Sequence, residues 1–212
     1  MKDKTITFDQ FYRNETTYFS QDHSGGMEEC LVKYRVRPCR AVDVGAGEGR
    51  NSLFLASIGF EVTAIEPSVV GANKIESRAN DAGLHIDVIN SDFISVTDNL
   101  HDVGFVVALT SLEHMEYDYL CKAVNEIKKI LAPGGYVYIM VFTEDDPGYM
   151  KDLDNASECS LFIKHYFKKG ELKHFFSDFE ILEYSEYTKE DTTHGPVHYH
   201  GKAKLFGRKP IC

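Results

Sequence analysis

From Arg40 onward the sequence alternates short apolar runs with longer segments of helical period, and this alternation constrains the fold more than any other feature. Strand–helix–strand units in series build a parallel sheet covered on both faces. The first run, Arg40–Val44, leads through a glycine-rich turn into a helix expected over residues 50–58, with Gly59 where a left-handed cap is wanted. The second strand is Glu61–Ile65. Ser68 is placed to cap a helix reaching Ala82 and stopped by Gly83, ahead of a third strand at residues 85–89. Residues 105–109 and 136–142 read as strands four and five, separated by a helix over 117–131 that ends at Pro133-Gly134-Gly135. A helix around 170–176 precedes strand-like runs at 179–187 and 198–208, which have no helix between them and are therefore expected to pair antiparallel. The expected fold class is α/β, a three-layer, doubly wound, mostly parallel sheet of seven strands with the last strand antiparallel.

A chain of 212 residues, 43% of them hydrophobic, suits one compact domain. Its expected division is an N-terminal cover over residues 1–39 and a core over 40–209. A net charge of −10 repels phosphate backbones, so neither nucleic acid nor an anionic membrane surface is an expected partner. The longest apolar run, 136–142, is strand-sized, and the polar start gives the expectation of a soluble, unprocessed protein. Five scattered cysteines without a C-x-x-C pair read as reduced thiols in a cytoplasmic protein.

In open α/β sheets ligands bind outside the carboxyl ends of the strands, so the turns there carry the chemistry. Gly45-Ala46-Gly47-Glu48-Gly49-Arg50 places three alternate glycines between a strand and a helix, where the backbone turns sharply and a ligand approaches closely. The dinucleotide fingerprint G-x-G-x-x-G needs its third glycine at the position of Arg50, and Asp43 and Glu48 would oppose a pyrophosphate. A cationic ligand is favoured. Glu66, 21 residues after Gly45, stands where a carboxylate accepts hydrogen bonds from ribose hydroxyls, or alternatively caps the helix that starts at Pro67-Ser68.

With these residues the sequence resembles the class I, Rossmann-like family of S-adenosylmethionine-dependent methyltransferases. Asp43-Val44-Gly45-Ala46-Gly47-Glu48-Gly49 resembles its first motif, Ala64-Ile65-Glu66-Pro67-Ser68 the acidic end of its second strand, Asn90-Ser91-Asp92-Phe93 its adenine-side motif, and Leu131-Ala132-Pro133-Gly134-Gly135 the turn before its fifth strand. The resemblance covers about residues 40–209. It implies S-adenosyl-L-methionine as cofactor, with Gly45 and Gly47 at the methionine part, Glu66 at the ribose and Asp92 with the Phe93 backbone at the adenine. Asp43, Arg50, Pro67 and Thr110 join this cofactor-contacting set. Within the family, Gly47 to Ala56 and Thr193 to Gly201 are similar to the small tellurite-resistance type, whereas Ser111-Leu112-Glu113-His114-Met115 is similar to quinone-biosynthesis O-methyltransferases.

Methyl transfer from a sulfonium is an in-line displacement, so the protein aligns the acceptor, excludes water and removes a proton where the acceptor requires it. The histidines are the concentrated candidates. His194, His198 and His200 fall within seven residues in the connection between the last two strands, and His198 and His200, two apart, project to the same side of an extended strand. They read as a base or substrate-binding group, as a metal chelate with Asp191, or as solvated residues of a hairpin. The length of the connection, taken as 188–197, favours a functional role. His114, after the fourth strand, is the other catalytic candidate. Phe11, Tyr12, Tyr18, Phe19 and His23 form either a lid over the cofactor or ordinary packing, and Phe162, Tyr166 and Phe167 read as helix core.

The expected function is methyl transfer to a small acceptor: a thiol, a metalloid oxyanion or a hydroxyl. A binding module or metal sensor using the histidine cluster is the alternative. A nicotinamide-dependent reductase is opposed by the missing third glycine and by the absence of a Tyr-x-x-x-Lys pair among twelve tyrosines. Thr110-Ser111-Leu112-Glu113 stands where amino-methylating enzymes of nucleic acids carry Asn or Asp, two prolines and an aromatic, which again argues against a nucleic-acid acceptor.

Overall fold

The strand β4, Val103–Leu109, is buried at every position except Gly104, as expected of a strand central in a sheet covered on both faces. Val106 and Ala108 point into one apolar cluster and Phe105, Val107 and Leu109 into another, following the two-residue period of the pleat. The computed structural model describes residues 8–13, 26–152, 154–157, 160, 162–192 and 197–211. Within them β1 (Arg40–Val44), β2 (Glu61–Ile65), β3 (Ile86–Ile89), β4, β5 (Leu131–Phe142), β6 (Glu180–Asp191) and β7 (His198–Arg208) form one sheet in the order β3-β2-β1-β4-β5-β7-β6. β7 runs antiparallel to both neighbours and the remaining pairs are parallel. The expected α/β class and its antiparallel last strand are observed.

The helices follow from local chemistry. In α4 (Val69–Asp81) the Ser68 hydroxyl caps the start by accepting from the Gly71 N–H at 3.0 Å, and Gly83 leaves the other end at φ 65°. α3 (Arg50–Ser57) covers one face together with α2 (Met27–Lys33), whose Met27, Cys30 and Leu31 pack against Tyr138 and Phe206. α5 (Tyr117–Ile130) buries Leu120, Ala123, Val124, Ile127 and Ile130 on the other face, the i, i+3, i+4, i+7 stripe of a half-covered helix. Tyr138 and Phe105 fill the interior on the α2 side.

Two boundaries depart furthest from expectation. β5 begins at Leu131, which pairs with Val103 before pairing resumes at Tyr136 opposite Phe105, so Ala132 to Gly135 loop out within the strand instead of separating it from α5. β6 continues to Asp191 because Thr188, Lys189, Glu190 and Asp191 pair with Gly201, Tyr199 and the two histidines on β7. The connection is therefore 192–197 and not 188–197, and its length no longer argues for function. The helix expected near residue 170 is the single turn α7 (Glu171–Phe175). Phe167 is not helix core: it makes an isolated bridge to Thr143.

Among the described residues no helix is long and apolar enough to cross a membrane. Cys30, Cys39 and Cys121 are free thiols, and burial pushes Cys30 up to about 12, an unreactive state.

Candidate functional site

The chain leaves β1, then runs outward through β2 and β3 and returns to place β4 on the other side of β1, so a crevice opens at the carboxyl ends of β1 and β4. The turn after β1 is locked there by the N–H groups of Gly45 and Ala46, which both donate to the Ile65 carbonyl, at 2.9 and 3.1 Å. Gly45 has φ 69°, and a Cβ on it would stand 2.5 Å from Cβ of Ser111, so both conformation and space demand glycine.

Glu66, at the end of β2, ties the turn to the next helix: Oε2 accepts the Gly47 N–H at 2.7 Å and Oε1 the Ser68 N–H at 2.8 Å. Burial pushes its carboxyl up to about 7, against the two amide hydrogen bonds that draw it down. The helix-capping reading of Glu66 is thus observed, and each oxygen keeps a further lone pair for a ligand. Asp43 lies under the turn and accepts from the Ser52 hydroxyl at 2.6 Å; burial raises it to about 6, countered by Ser52 and Arg50. Glu48 is bonded to Lys74 at 2.7 Å.

A cavity of about 490 Å³ occupies the crevice. Gly45, Glu66, Pro67, Asp92, Phe93, Thr110 and His114 all line it, so seven expected site residues from four separate turns are brought together. Asp43, Gly47, Arg50 and His198 do not line it, and His194 lies outside the described residues. Its acidity comes from Glu66, Asp92 and Glu116, and none of the described lining residues is Lys or Arg. Asp43 and Glu48, taken from the sequence as the acidic groups, are instead occupied beneath and behind the turn.

The other walls are equally defined. Asp92 accepts from the Ser95 hydroxyl at 2.5 Å, from the Ser95 N–H at 3.1 Å and from the Tyr119 hydroxyl, and these bonds hold it below the usual carboxylate range. Thr110 sits at φ 53°, a strained conformation for a β-branched residue, with its N–H donated to the Met140 carbonyl at 2.8 Å. Its neighbour Ser111 has a buried hydroxyl with no hydrogen-bond partner among the described residues. Phe8 and Tyr12 of α1 (Phe8–Tyr12) close the opening, and the Ser68 hydroxyl donates to Asp9 at 2.5 Å to pin this helix down. Phe11 packs instead on Phe162, rings 5.4 Å apart; Tyr18, Phe19 and His23 lie outside the described residues. Burial lowers His114 to about 4, so it is a neutral imidazole whose Nδ1 meets the Phe162 carbonyl at 3.1 Å.

A second polar group lies beyond the cavity, where β5 and β6 end and β7 begins. His198 and His200 are buried, so the solvated-hairpin reading is corrected: strand pairing with β6 and the stacking of Phe142 on His200, 4.4 Å between rings, enclose them. Their Nε2 atoms are 3.0 Å apart. Asp146, fully buried at the start of α6 (Pro147–Met150), meets Nδ1 of His200 at 3.0 Å through Oδ2. Glu113 is fully buried with both carboxylate oxygens unpartnered among the described residues, and burial pushes it up to about 8, Lys202 opposing and Asp146 adding to the rise.

Sequence reasoning placed Ser111 and Glu113 in a motif-like stretch after the fourth strand without giving either a role, and it missed Asp146. Asp146-Pro147-Gly148 is a legible helix-start signal, but nothing local to Glu113 announces a buried carboxylate.

A family model described as tellurite resistance protein TehB matches residues 6–195. The chain is similar to a protein of Haemophilus influenzae named probable S-adenosyl-L-methionine-dependent methyltransferase TehB, 27% identical over 187 residues that make up 83% of this chain and 59% of that one. The crystal structure of TehB from Haemophilus influenzae superposes with a TM-score of 0.71 at 23% identity, over 88% of this chain and 63% of that chain. A structure from Methanosarcina mazei described as a SAM-dependent methyltransferase gives a TM-score of 0.70 at 21% identity, over 90% of this chain and 100% of that one. The chain spans about six-tenths of the length of the curated relatives it matches.

Proposed function

Because the chain belongs to the TehB family of tellurite resistance proteins, we propose that it is an S-adenosyl-L-methionine-dependent methyltransferase acting on a small molecule, within a single domain whose described N-terminal residues, 8–13 and 26–39, cover the core. The observation that carries this reading is the composition of the cavity: glycine-backed on one side, acidic at Glu66, Asp92 and Glu116, and lined by no described Lys or Arg. A pyrophosphate would meet only like charge there, whereas a nucleoside carrying a sulfonium meets carboxylates. The names of the similar TehB proteins support the same reading.

The residues divide the work. Gly45 gives the ligand close approach to the backbone, Gly47 is held in place through Glu66, and the remaining lone pairs of Glu66 accept from the ribose hydroxyls. Asp92 and the Phe93 backbone take the adenine side, Pro67 and Thr110 complete the contacts, and Asp43 and Arg50 brace the turn from behind. When bound, the cofactor supplies a methyl group on positively charged sulfur. Phe8 and Tyr12 exclude water from that group. His114, neutral and cavity-facing, positions the acceptor, and His198, on the hairpin side, is the group proposed to act on its proton.

Thiols, metalloid oxyanions such as tellurite, and phenolic hydroxyls are the acceptor classes proposed. Incubation with methyl-labelled S-adenosylmethionine and a panel of these acceptors tests the proposal. Label transferred to one class and not to a nucleic acid supports it; no transfer to any small acceptor, with transfer to nucleic acid, overturns it.

A further inference from the structure

The histidine hairpin has a geometry that methyl transfer does not require. Asp191 closes β6 directly opposite His198, the first residue of β7. One ligand atom from each of Asp191, His198 and His200 lies within 4.8 Å of the other two. The two histidine Nε2 atoms, 3.0 Å apart, have the separation of adjacent ligands around one ion with bonds of about 2.0–2.1 Å.

His200 is fixed for such a role from behind. Asp146 accepts the Gly148 N–H at 2.8 Å on Oδ1 and the Gly201 N–H at 3.2 Å on Oδ2, so at its 3.0 Å contact with Nδ1 of His200 it is again the acceptor. The imidazole proton is thereby held on Nδ1, and the lone pair of Nε2 points toward His198. A carboxylate behind a histidine is the arrangement that orients metal-ligating imidazoles. Phe142 stacks on the same ring at 17° and prevents it from turning. Gly201 permits the close approach, since a Cβ there would stand 2.4 Å from the backbone of Asp145.

We infer that Asp191, His198 and His200 form a binding site for a divalent first-row transition metal ion, with Asp146 orienting His200 and with further coordination positions open. Two imidazoles and one carboxylate suit zinc, cobalt, nickel or ferrous iron better than magnesium or calcium, which prefer oxygen. The open positions take water or an anionic ligand. Lys202 Nζ stands 3.5 Å from Oδ2 of Asp191 and the Arg50 guanidinium also interacts with that carboxylate, so both cations compete with the ion for it. The site therefore binds a metal less tightly than a closed structural centre does. None of its three ligands lines the cofactor cavity, and the site does not rest on the methyl-transfer reading; an ion held there takes the His198 lone pair, so the proton role proposed for His198 belongs to the metal-free protein.

The test is a titration of tag-free, chelator-stripped full chain with Zn²⁺ against a chromophoric chelator, repeated with Co²⁺ followed by its visible absorption. One ion per chain is expected, with nitrogen and oxygen ligation in the Co²⁺ spectrum. Asp191→Asn and His198→Gln should each weaken Zn²⁺ binding tenfold or more, and Asp146→Asn by roughly 10–100-fold. Melting curves of the metal-free variants separate lost ligation from lost folding, and Asp191, at the strand end and less deeply buried than either histidine, is the variant that decides if the histidine variants do not fold. Absence of Zn²⁺ uptake by the wild type, or binding by Asp191→Asn equal to wild type, overturns the inference. S-adenosylmethionine titrated into the metal-free protein tests the cofactor reading separately.

Discussion

The two polar regions at the carboxyl edge of the sheet are built by opposite means. Around the cavity the backbone does most of the work: positive-φ glycines, amides donated to the Ile65 carbonyl, and the Glu66 and Asp92 carboxylates accepting from backbone amides. Beyond it, at Glu113, Asp146, Asp191, His198 and His200, side chains from four separate segments meet in a buried cluster. The first arrangement recognises a ligand by shape and by acceptor placement. The second holds ionisable groups out of water, which serves proton or metal chemistry and costs stability.

Substitutions should separate the regions. Glu66→Ala removes a carboxylate that holds two backbone amides as well as any ribose contact, so affinity for S-adenosylmethionine should fall by about 3 kcal/mol, roughly 100-fold. Calorimetry measures it, and a loss under threefold would remove Glu66 from the binding set. Across the divide, Glu113→Gln should leave that affinity unchanged and alter stability instead. The folded-state value of Glu113, raised to about 8, exceeds its ordinary 4.5, so the folded protein holds a proton that the unfolded chain loses between those values. Stability therefore falls as pH rises through this window, and the variant should gain about 2 kcal/mol over wild type at pH 9 but little at pH 4. Denaturant titration at both pH values checks the sign, and equal gains at both would show that charge burial is not the cause.

His198→Ala should lower turnover about tenfold while leaving cofactor affinity within about twofold, the signature of a group that acts after binding. A change in both would join the two regions into one. The smallest effect concerns pH. Because burial raises Glu66 to about 7, its carboxylate form grows from pH 6 to pH 8, and cofactor affinity should rise several-fold over that interval and level off above it. A flat profile would mean that the ligand does not use the ionised form.

The same contrast explains what could be read from the sequence. β1 and β2 fall within the expected bounds because short apolar runs end at glycine or Pro-Ser, and Ser68 caps α4 as its residue type demands. Gly45, Glu66, Asp92 and Thr110 converge because each follows a parallel strand, and parallel strands end on one edge. The extension of β6 was not legible, since Lys189-Glu190-Asp191 lacks apolar alternation and is ordered by pairing with β7. Glu113 looks like any helix-entry acid until β5 and β7 bury it. His198 and His200 were legible as a pair by their spacing, but their partner Asp146, 54 residues from His200, was not.

Parallel calorimetric titrations of the purified protein with S-adenosylmethionine, S-adenosylhomocysteine and NADPH test the central claim most directly. Saturable binding of both adenosyl ligands in the micromolar range and none of NADPH is the predicted result. Heat from NADPH with silence from both adenosyl ligands would contradict the assignment of the acidic cavity to a sulfonium nucleoside.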